Sequence, residues 1–153
     1  MGRSRELFKS SSAQEYCSRR YSPLNADTLL HKANTALSSA KLLLQSGDAD
    51  GACNRAYYTM FDAARAALMA FQNSDEVLTI KTHSGLISSF SLQLVKPGMI
   101  DIELGKSLNK VEDLRLIADY KGDAITLEDA GWAVEQAETF FAVVRSRFFA
   151  DKK

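Results

Sequence analysis

The stretch from Asn54 to Leu68 constrains the fold of this chain more than any other, because at helical spacing it separates into two chemically distinct faces. One face is apolar and carries Ala52, Ala56, Tyr57, Met60, Phe61, Ala63, Ala64, Ala67, Leu68 and Phe71. The other face carries Asn54, Arg55, Tyr58, Asp62, Arg65 and Gln72, which are groups suited to hydrogen bonding. The pattern predicts the central helix of a bundle, with its polar side turned towards a cleft, a partner or RNA.

The remaining sequence also indicates helices. Strand-like alternation is absent and turn signals separate long helical patterns, so we predict an all-α chain. We expect an up-and-down antiparallel bundle of about five helices in residues 25–150, preceded by an N-terminal arm or a short extra helix in residues 1–24. Helices are expected to start at Asn25 or Asp27, Asp48, Thr82, about Asp101 and Thr126. Gly47 is expected to end the first helix in a left-handed conformation and so to form a tight helical hairpin.

The composition excludes several classes of function. Net charge is zero, so the chain lacks the overall positive charge of nonspecific nucleic-acid binders, although a small basic site is compatible with it. Two cysteines without a ligand spacing predict a reducing cytoplasm. We expect no membrane segment, because no apolar run is long enough. No glycine-rich phosphate loop, nucleophile elbow or histidine-rich cluster is present, so we expect no metal and no cofactor.

A second informative segment runs from Arg115 to Tyr120. Arg115 falls between Leu104 and Leu108 on the inward stripe of its helix, and burying an unpaired guanidinium is costly. Asp119 lies one turn later, where side chains meet. Two interpretations are open: an internal ion pair that fixes helix packing, or a cleft in which Arg115 holds a phosphate.

His83 is one of two histidines and lies near a predicted helix N-terminus, which favours anions. It has two interpretations, a hydrogen bond in the cap region or a role in catalysis. Tyr57 and Phe61 are expected in the core, since aromatic residues at helical spacing usually are. Asp62 and Arg65 are expected to be an ordinary surface pair.

With these motifs in place, the chain resembles the HEPN superfamily (higher eukaryotes and prokaryotes nucleotide-binding domain). The similarity is to small prokaryotic members with an Asn-Arg-Ala-Tyr-Tyr-x-Met-Phe motif, and order and spacing agree over about Asp27 to Phe148. The matching segments are Asn54-Arg-Ala-Tyr-Tyr-Thr-Met-Phe61, His83-Ser-Gly-Leu-Ile-Ser-Ser-Phe90, Arg115-Leu-Ile-Ala-Asp-Tyr120, Glu128-Asp-Ala130 and Ala137-Glu-Thr-Phe140.

The resemblance implies a helical bundle that often forms a homodimer through the faces bearing the polar motif. Many members of the superfamily are metal-independent ribonucleases, often toxins paired with a nucleotidyltransferase antitoxin. Their usual motif is an Arg followed several residues later by a His, with a Tyr nearby. Arg115 matches the Arg and Tyr120 the Tyr, whereas Asp119 stands about where the His would be.

Three functions therefore stay open. In a metal-independent endoribonuclease, Arg115 would hold the scissile phosphate, Asp119, Tyr120 or His83 would handle protons, and a second group would position single-stranded RNA. That second group is Asn54, Arg55 and Tyr58. In a non-catalytic module, the same face would bind a nucleotide or a protein partner. In a purely structural dimer module, the Arg115–Asp119 pair would only set helix packing.

Overall fold

The protein is described by a computed structural model that covers residues 24–121 and 125–150. Within these ranges the chain forms five α-helices and no strand, which confirms the predicted all-α bundle. The helices are α1 (Ala26–Gln45), α2 (Ala49–Gln72), α3 (His83–Phe90), α4 (Ile102–Leu116) and α5 (Leu127–Phe149). A 3₁₀ helix (Asp75–Thr79) precedes α3, and π-helical turns extend α3 (Ser91–Val95) and α4 (Ile117–Lys121). The predicted arm, residues 1–24, lies outside the described residues except for Leu24.

Side-chain caps fix the starts of the helices. Asn25 and Thr28 form a reciprocal capping box at α1, with both backbone-to-side-chain distances at 2.8 Å. Asp48 accepts from the Gly51 amide at 2.8 Å, immediately after Gly47 has turned the chain with a φ of +86°. This short connection makes α1 and α2 an antiparallel hairpin. The predicted caps at Thr82, Asp101 and Thr126 also accept from backbone amides of the first turn.

The central helix is α2, which packs against all four other α-helices. Small side chains on its buried faces let those neighbours approach closely. They are Ala52, Ala56, Ala63, Ala64, Ala66 and Ala67, each fully buried. Larger side chains fill the remaining core, among them Phe90 and Phe140, whose ring centroids are 5.3 Å apart. Burying each such side chain stabilises the fold by about 1.5–3 kcal/mol.

The other helices cover the apolar faces of α2, and one polar strip of this helix stays partly accessible. Asn54, Arg55, Tyr58 and Arg65 on this strip are all partly exposed. The strip lies beside the start of α3 and the end of α4, as the contacts of Tyr57 and Tyr58 show. No helix within residues 24–121 and 125–150 is both long and apolar enough to cross a lipid bilayer.

Candidate functional site

The centre of the site is a hydrogen bond between two helices. Tyr57 on α2 is fully buried, and its hydroxyl oxygen lies 2.7 Å from Nδ1 of His83. His83 is the first residue of α3, directly after the Thr82 cap, so the cap fixes where the imidazole emerges. The Phe61 ring stacks on the imidazole with centroids 4.5 Å apart, and Tyr58 meets it edge-on at 5.9 Å. These aromatic side chains hold the imidazole in one orientation.

Arg115 enters the same cluster from the last turn of α4. Its guanidinium carbon lies 4.6 Å from the ring centroid of Tyr57 and 5.9 Å from that of Tyr58, which are cation–π distances. Nη1 donates to Oδ2 of Asp119 at 3.2 Å. Arg115 is only 8% exposed, yet its buried Nε has no hydrogen-bond partner among the described residues. A buried donor without a partner is unusual in folded proteins and marks a place where an external acceptor would be stabilising.

Burial keeps the two central groups uncharged. Burial lowers the pKa of His83, and the positive charges of Arg115 and Arg65 lower it further, while Glu112 opposes them. Burial also raises the pKa of Tyr57, as does the negative charge of Glu112, against the opposing effect of Arg115. At neutral pH the cluster therefore contains a neutral imidazole and a phenol beside one permanent cation.

A π-helical turn determines where the acidic partner sits. Residues Ile117–Lys121 leave the α-helical geometry of α4, and Asp119 lies within this turn with its side chain 37% exposed. Such turns are frequent at functional sites, because they re-aim side chains that an α-helix would point elsewhere. The predicted ion pair of Arg115 with Asp119 is thus present, with the arginine inside and the carboxylate at the surface.

Three of the predicted site residues are brought together directly. His83, Arg115 and Tyr58 surround the side chain of Tyr57, and Asp119 joins them through its ion pair with Arg115. The sequence alone did not predict that His83 and Arg115, which are distant along the chain, would meet; they do so because both contact the side chain of Tyr57 on α2.

The other predicted residues lie at the edge of this cluster. The guanidinium of Arg55 is 5.7 Å from the ring centroid of Tyr58. Asn54 is half-buried one turn before Tyr58 on the same helix. Tyr120 is 77% exposed, and within the described part of the chain its hydroxyl has no hydrogen bond, so nothing fixes it at the cluster.

Two details differ from the sequence-based interpretation. Tyr57 is in the core as expected, but its hydroxyl belongs to the site, which a helical periodicity cannot reveal. A tyrosine at a position where phenylalanine would fill the same space was the available signal. The pair of Asp62 and Arg65 was expected at the surface, and this prediction was wrong: the Asp62 side chain is only 8% exposed, because α2 is covered on that side too.

The groups of the cluster are hydrogen-bond donors and aromatic rings. Within residues 24–121 and 125–150, no three His, Cys, Asp or Glu side chains come together in a group that could hold a metal ion. A groove of about 700 Å³ along α5, lined from Glu135 to Arg147, contains none of the cluster residues. The arrangement around Arg115 can bind an anion and place aromatic surface beside it.

Comparisons with known proteins agree with the family resemblance. A family model described as the HEPN domain matches residues 26–147. A UPF0332 protein of Gloeobacter violaceus is 33% identical over 117 residues, which cover 75% of this chain and 89% of that protein. A UPF0332 protein of Thermotoga maritima is 33% identical over 116 residues, covering 74% and 83%. A Methanocaldococcus jannaschii protein named as a putative toxin is 36% identical over 112 residues, covering 73% and 80%. The resemblance inferred from the motifs is thereby confirmed, and this chain belongs to the HEPN domain family.

Proposed function

We propose that this protein binds single-stranded RNA at the Arg115 cluster and cleaves it without a metal ion. The observation that carries the proposal is the buried guanidinium of Arg115, whose Nε has no partner, beside the imidazole held by Tyr57. A phosphodiester supplies the acceptor that this guanidinium lacks. Arginine is suited to the task, because its planar donors bind two phosphate oxygens at once.

The environment strengthens such a contact. Arg115 is 8% exposed and lies against two aromatic rings, so a bound phosphate would face a cation from which water is largely excluded. Electrostatic stabilisation of developing charge is greatest in sites of this kind. Arg115 would thus stabilise the phosphorane-like transition state formed when the 2′-hydroxyl attacks the neighbouring phosphorus. Asp119, Tyr120 or His83 would handle the protons.

The partly exposed residues of α2 would position the RNA. Tyr58 presents an aromatic ring with Arg55 beside it, an arrangement that suits a stacked base and its phosphate. Asn54, one turn earlier, would add a hydrogen bond to a base or sugar. Single-stranded RNA fits this strip better than a duplex, whose bases are not available for stacking.

The proposal extends to a biological role of toxin type. A relative that covers most of this chain is named as a putative toxin, and the motif resemblance carries the same expectation. Such a toxin would act as a cytoplasmic homodimer, controlled by a nucleotidyltransferase that serves as its antitoxin. Size-exclusion chromatography with light scattering, and co-expression with the product of a neighbouring gene, would test both associations.

The central experiment uses purified protein, short single-stranded RNAs and EDTA. We expect cleavage that survives chelation and leaves 2′,3′-cyclic phosphate ends, as attack by the 2′-hydroxyl requires. Arg115→Ala should lose this activity, whereas Arg145→Ala, which removes an exposed arginine near the far end of α5, should keep it. Circular dichroism establishes that both variants fold. Equal cleavage by the wild type and Arg115→Ala would exclude the assigned site.

A non-catalytic function has one observation in its favour. Asp119, which stands where the family's histidine is expected, already neutralises part of the Arg115 charge. In that case the same face binds a nucleotide or RNA without turnover. Fluorescence anisotropy with a labelled RNA distinguishes the two functions, because binding that depends on Arg115 with no cleavage product would assign the non-catalytic one.

A further inference from the structure

The hydrogen bond between Tyr57 and His83 has a direction that the surroundings determine. Its two atoms are 2.7 Å apart, and Tyr57 is fully buried while His83 is partly exposed. A phenol can donate or accept, and each imidazole nitrogen can do either, depending on the tautomer. The direction decides which nitrogen of His83 carries the proton, and therefore what this histidine does in the cluster.

The positive charge of Arg115 orients the phenol. Its guanidinium carbon lies 4.6 Å from the centre of the Tyr57 ring, and its charge acts on the hydroxyl as well, since it lowers the pKa of Tyr57 against the larger, raising effect of burial. A guanidinium can only donate hydrogen bonds. The oxygen lone pairs of Tyr57 are therefore favoured on the side of the cation, and the hydroxyl hydrogen on the side of His83. Burial raises the pKa of Tyr57, so the phenol keeps its proton at every pH at which the protein would be assayed.

The opposite direction would leave a buried donor without an acceptor. If Nδ1 of His83 donated to the phenol oxygen, the hydroxyl hydrogen of Tyr57 would need a second acceptor. Within the described residues, Nδ1 is the hydrogen-bond partner that the structure gives this hydroxyl. Buried hydroxyl groups in folded proteins are nearly always paired, so the phenol donates and Nδ1 accepts.

The direction of this hydrogen bond also determines the protonation of Nε2, the other ring nitrogen of His83. A neutral imidazole that accepts at Nδ1 carries its proton at Nε2. Among the described residues Nε2 has no hydrogen-bond partner, and it is not one of the buried unpartnered atoms. His83 and Arg115 both contact the Tyr57 side chain, so this N–H and the free Nε–H of Arg115 are two donors in the same cluster.

We propose that Tyr57 is a positioning residue that fixes His83 in its Nε2–H tautomer, so that His83 binds the RNA phosphate as a hydrogen-bond donor and is not the general base. The inference rests on the proposed function in the part that names RNA. It assigns to His83 a different role from the proton transfer that its position alone would allow.

The base is then the carboxylate of Asp119. It takes the proton of the 2′-hydroxyl, whose oxygen uses the freed electron pair to form the bond to phosphorus. The bond from phosphorus to the 5′-oxygen breaks, and its electron pair leaves with that oxygen, which is protonated by water. Arg115 and the Nε2–H of His83 hold the two non-bridging oxygens while charge develops on them.

The tautomer is tested on the free protein, without RNA. Long-range ¹H–¹⁵N correlation spectra of ¹⁵N-histidine-labelled protein at about pH 8 report which ring nitrogen is protonated. His31, exposed on α1, is an internal reference in the same spectrum. We expect His83 to show a protonated Nε2 and a hydrogen-bonded Nδ1, and to lose this pattern in Tyr57→Phe. A protonated Nδ1 in the wild type would overturn the inference.

The role of the donor is tested by two substitutions of His83. The amide nitrogen of glutamine in His83→Gln can replace the Nε2 donor but cannot act as a base, whereas His83→Ala removes both functions. We expect His83→Gln to keep RNA cleavage within about 10-fold of wild type, and His83→Ala to lose about 100-fold or more. Equal loss in the two variants would identify His83 as a base and reject the donor role.

These outcomes also separate the inference from the function on which it rests. If the wild-type protein cleaves no RNA, the catalytic proposal fails while the NMR result still decides the tautomer. Anisotropy of a labelled RNA then takes the place of cleavage. Affinity retained in His83→Gln and lost in His83→Ala supports the donor, and equal affinity in both variants rejects it.

Discussion

Two of the intrahelical ion pairs of the bundle look alike in sequence and differ in which partner is buried. In the pair of Arg115 and Asp119, 3.2 Å apart, the arginine side chain is 10% exposed and the carboxylate 37% exposed. In the pair of Asp62 and Arg65, 3.4 Å apart, the carboxylate is 8% exposed and the arginine 19% exposed. Both arginines also lie over an aromatic ring of α2.

The difference determines what each pair can do. Asp62 is a buried anion influenced by three cations, those of Lys32, Arg65 and Arg55, so its charge is already compensated from several sides. Arg115 is a buried cation with one partly exposed carboxylate and an unpartnered Nε. Of the two arrangements, the second leaves a cationic donor without an acceptor. A buried arginine with a surface partner is therefore a candidate site, whereas a buried carboxylate with surface partners is a packing element.

The largest effect on RNA cleavage should follow from removing Arg115, with the removal of Arg65 as the comparison. Arg115→Leu replaces a buried cation with an apolar group, and we expect RNA cleavage to fall at least about 100-fold because the phosphate loses its main partner. Arg65→Leu is the matched control and should change cleavage by no more than about 3-fold. Rates under single-turnover conditions give both values. Thermal unfolding should show little loss of stability in Arg115→Leu, since apolar groups replace buried ions well.

Two results would contradict this part of the comparison. Equal loss of activity in the Arg115→Leu and Arg65→Leu variants would show that both pairs support the cluster structurally. Unchanged RNA affinity together with altered stability in the Arg115→Leu variant would instead return Arg115 to a role in helix packing alone.

The next effect concerns the partly exposed carboxylate. Asp119→Asn removes the negative charge that competes with RNA for Arg115, so we expect RNA affinity to rise about 3- to 10-fold. Cleavage should nevertheless fall about 10- to 100-fold, because the proposed base is lost. Anisotropy measures the first quantity and single-turnover rates the second.

Asp113→Asn is the matched control for this substitution, because Asp113 is an exposed carboxylate on the same helix and should affect neither quantity. A fall in affinity in the Asp119→Asn variant would mean that Asp119 orders the guanidinium for binding. A rise in both affinity and rate would remove Asp119 from catalysis.

The sequence determined the fold well for local reasons. Caps at Asn25, Asp48, Thr82 and Thr126 and the left-handed Gly47 are encoded by a few neighbouring residues, so the helix starts could be predicted closely. The π-helical turns were missed, because helical periodicity does not distinguish a π-helical turn from the α-helix that it extends. The spacing of hydrophobic residues along one helix therefore does not predict such a turn.

The site was predictable only in part, for the same reason. The spacing of Arg115 and Asp119 on one helix is local, and it gave a correct ion pair. The contact of Tyr57 with His83 joins residues from two helices, and periodicity identifies the buried face of a helix but not the atom that faces it. The burial of Asp62 was missed because the polar strip was taken as uniformly exposed, whereas a neighbouring helix covers one edge of it.

A smaller effect, on stability and not on cleavage, is expected from the buried carboxylate of Asp62. Burial raises the pKa of Asp62 above its ordinary value of 3.8, despite the attraction of Lys32 and Arg65. The folded protein therefore holds this proton more tightly than the unfolded chain. The contribution of Asp62 to stability is most favourable below about pH 4 and is lost as the pH rises through the raised pKa.

The substitution Asp62→Asn removes the decrease in stability that accompanies the ionisation of Asp62. We expect it to increase the free energy of unfolding at pH 7 by up to about 1 kcal/mol, or roughly 2–4 °C in Tm, with the advantage shrinking at acidic pH. Thermal unfolding of both proteins between about pH 3 and pH 8 measures the difference. Greater stability of the wild type at pH 7 would mean that the ion pair with Arg65 outweighs the cost of burial.

The smallest effect is expected for an exposed ion pair, which serves as the reference for the pairs of Arg115 and Arg65. Lys41 and Glu138 join α1 to α5 with an ion pair of 2.8 Å, and their side chains are 44% and 56% exposed. Although this ion pair is shorter than those of Arg115 and Arg65, water screens it, so Lys41→Ala should cost no more than about 0.5 kcal/mol and less in high salt. Urea unfolding at two ionic strengths measures the cost. A loss of more than about 1 kcal/mol in the free energy of unfolding would show that the distance between the charged atoms determines the strength of these ion pairs. A smaller loss would leave burial as the property that distinguishes Arg115 from the other arginines.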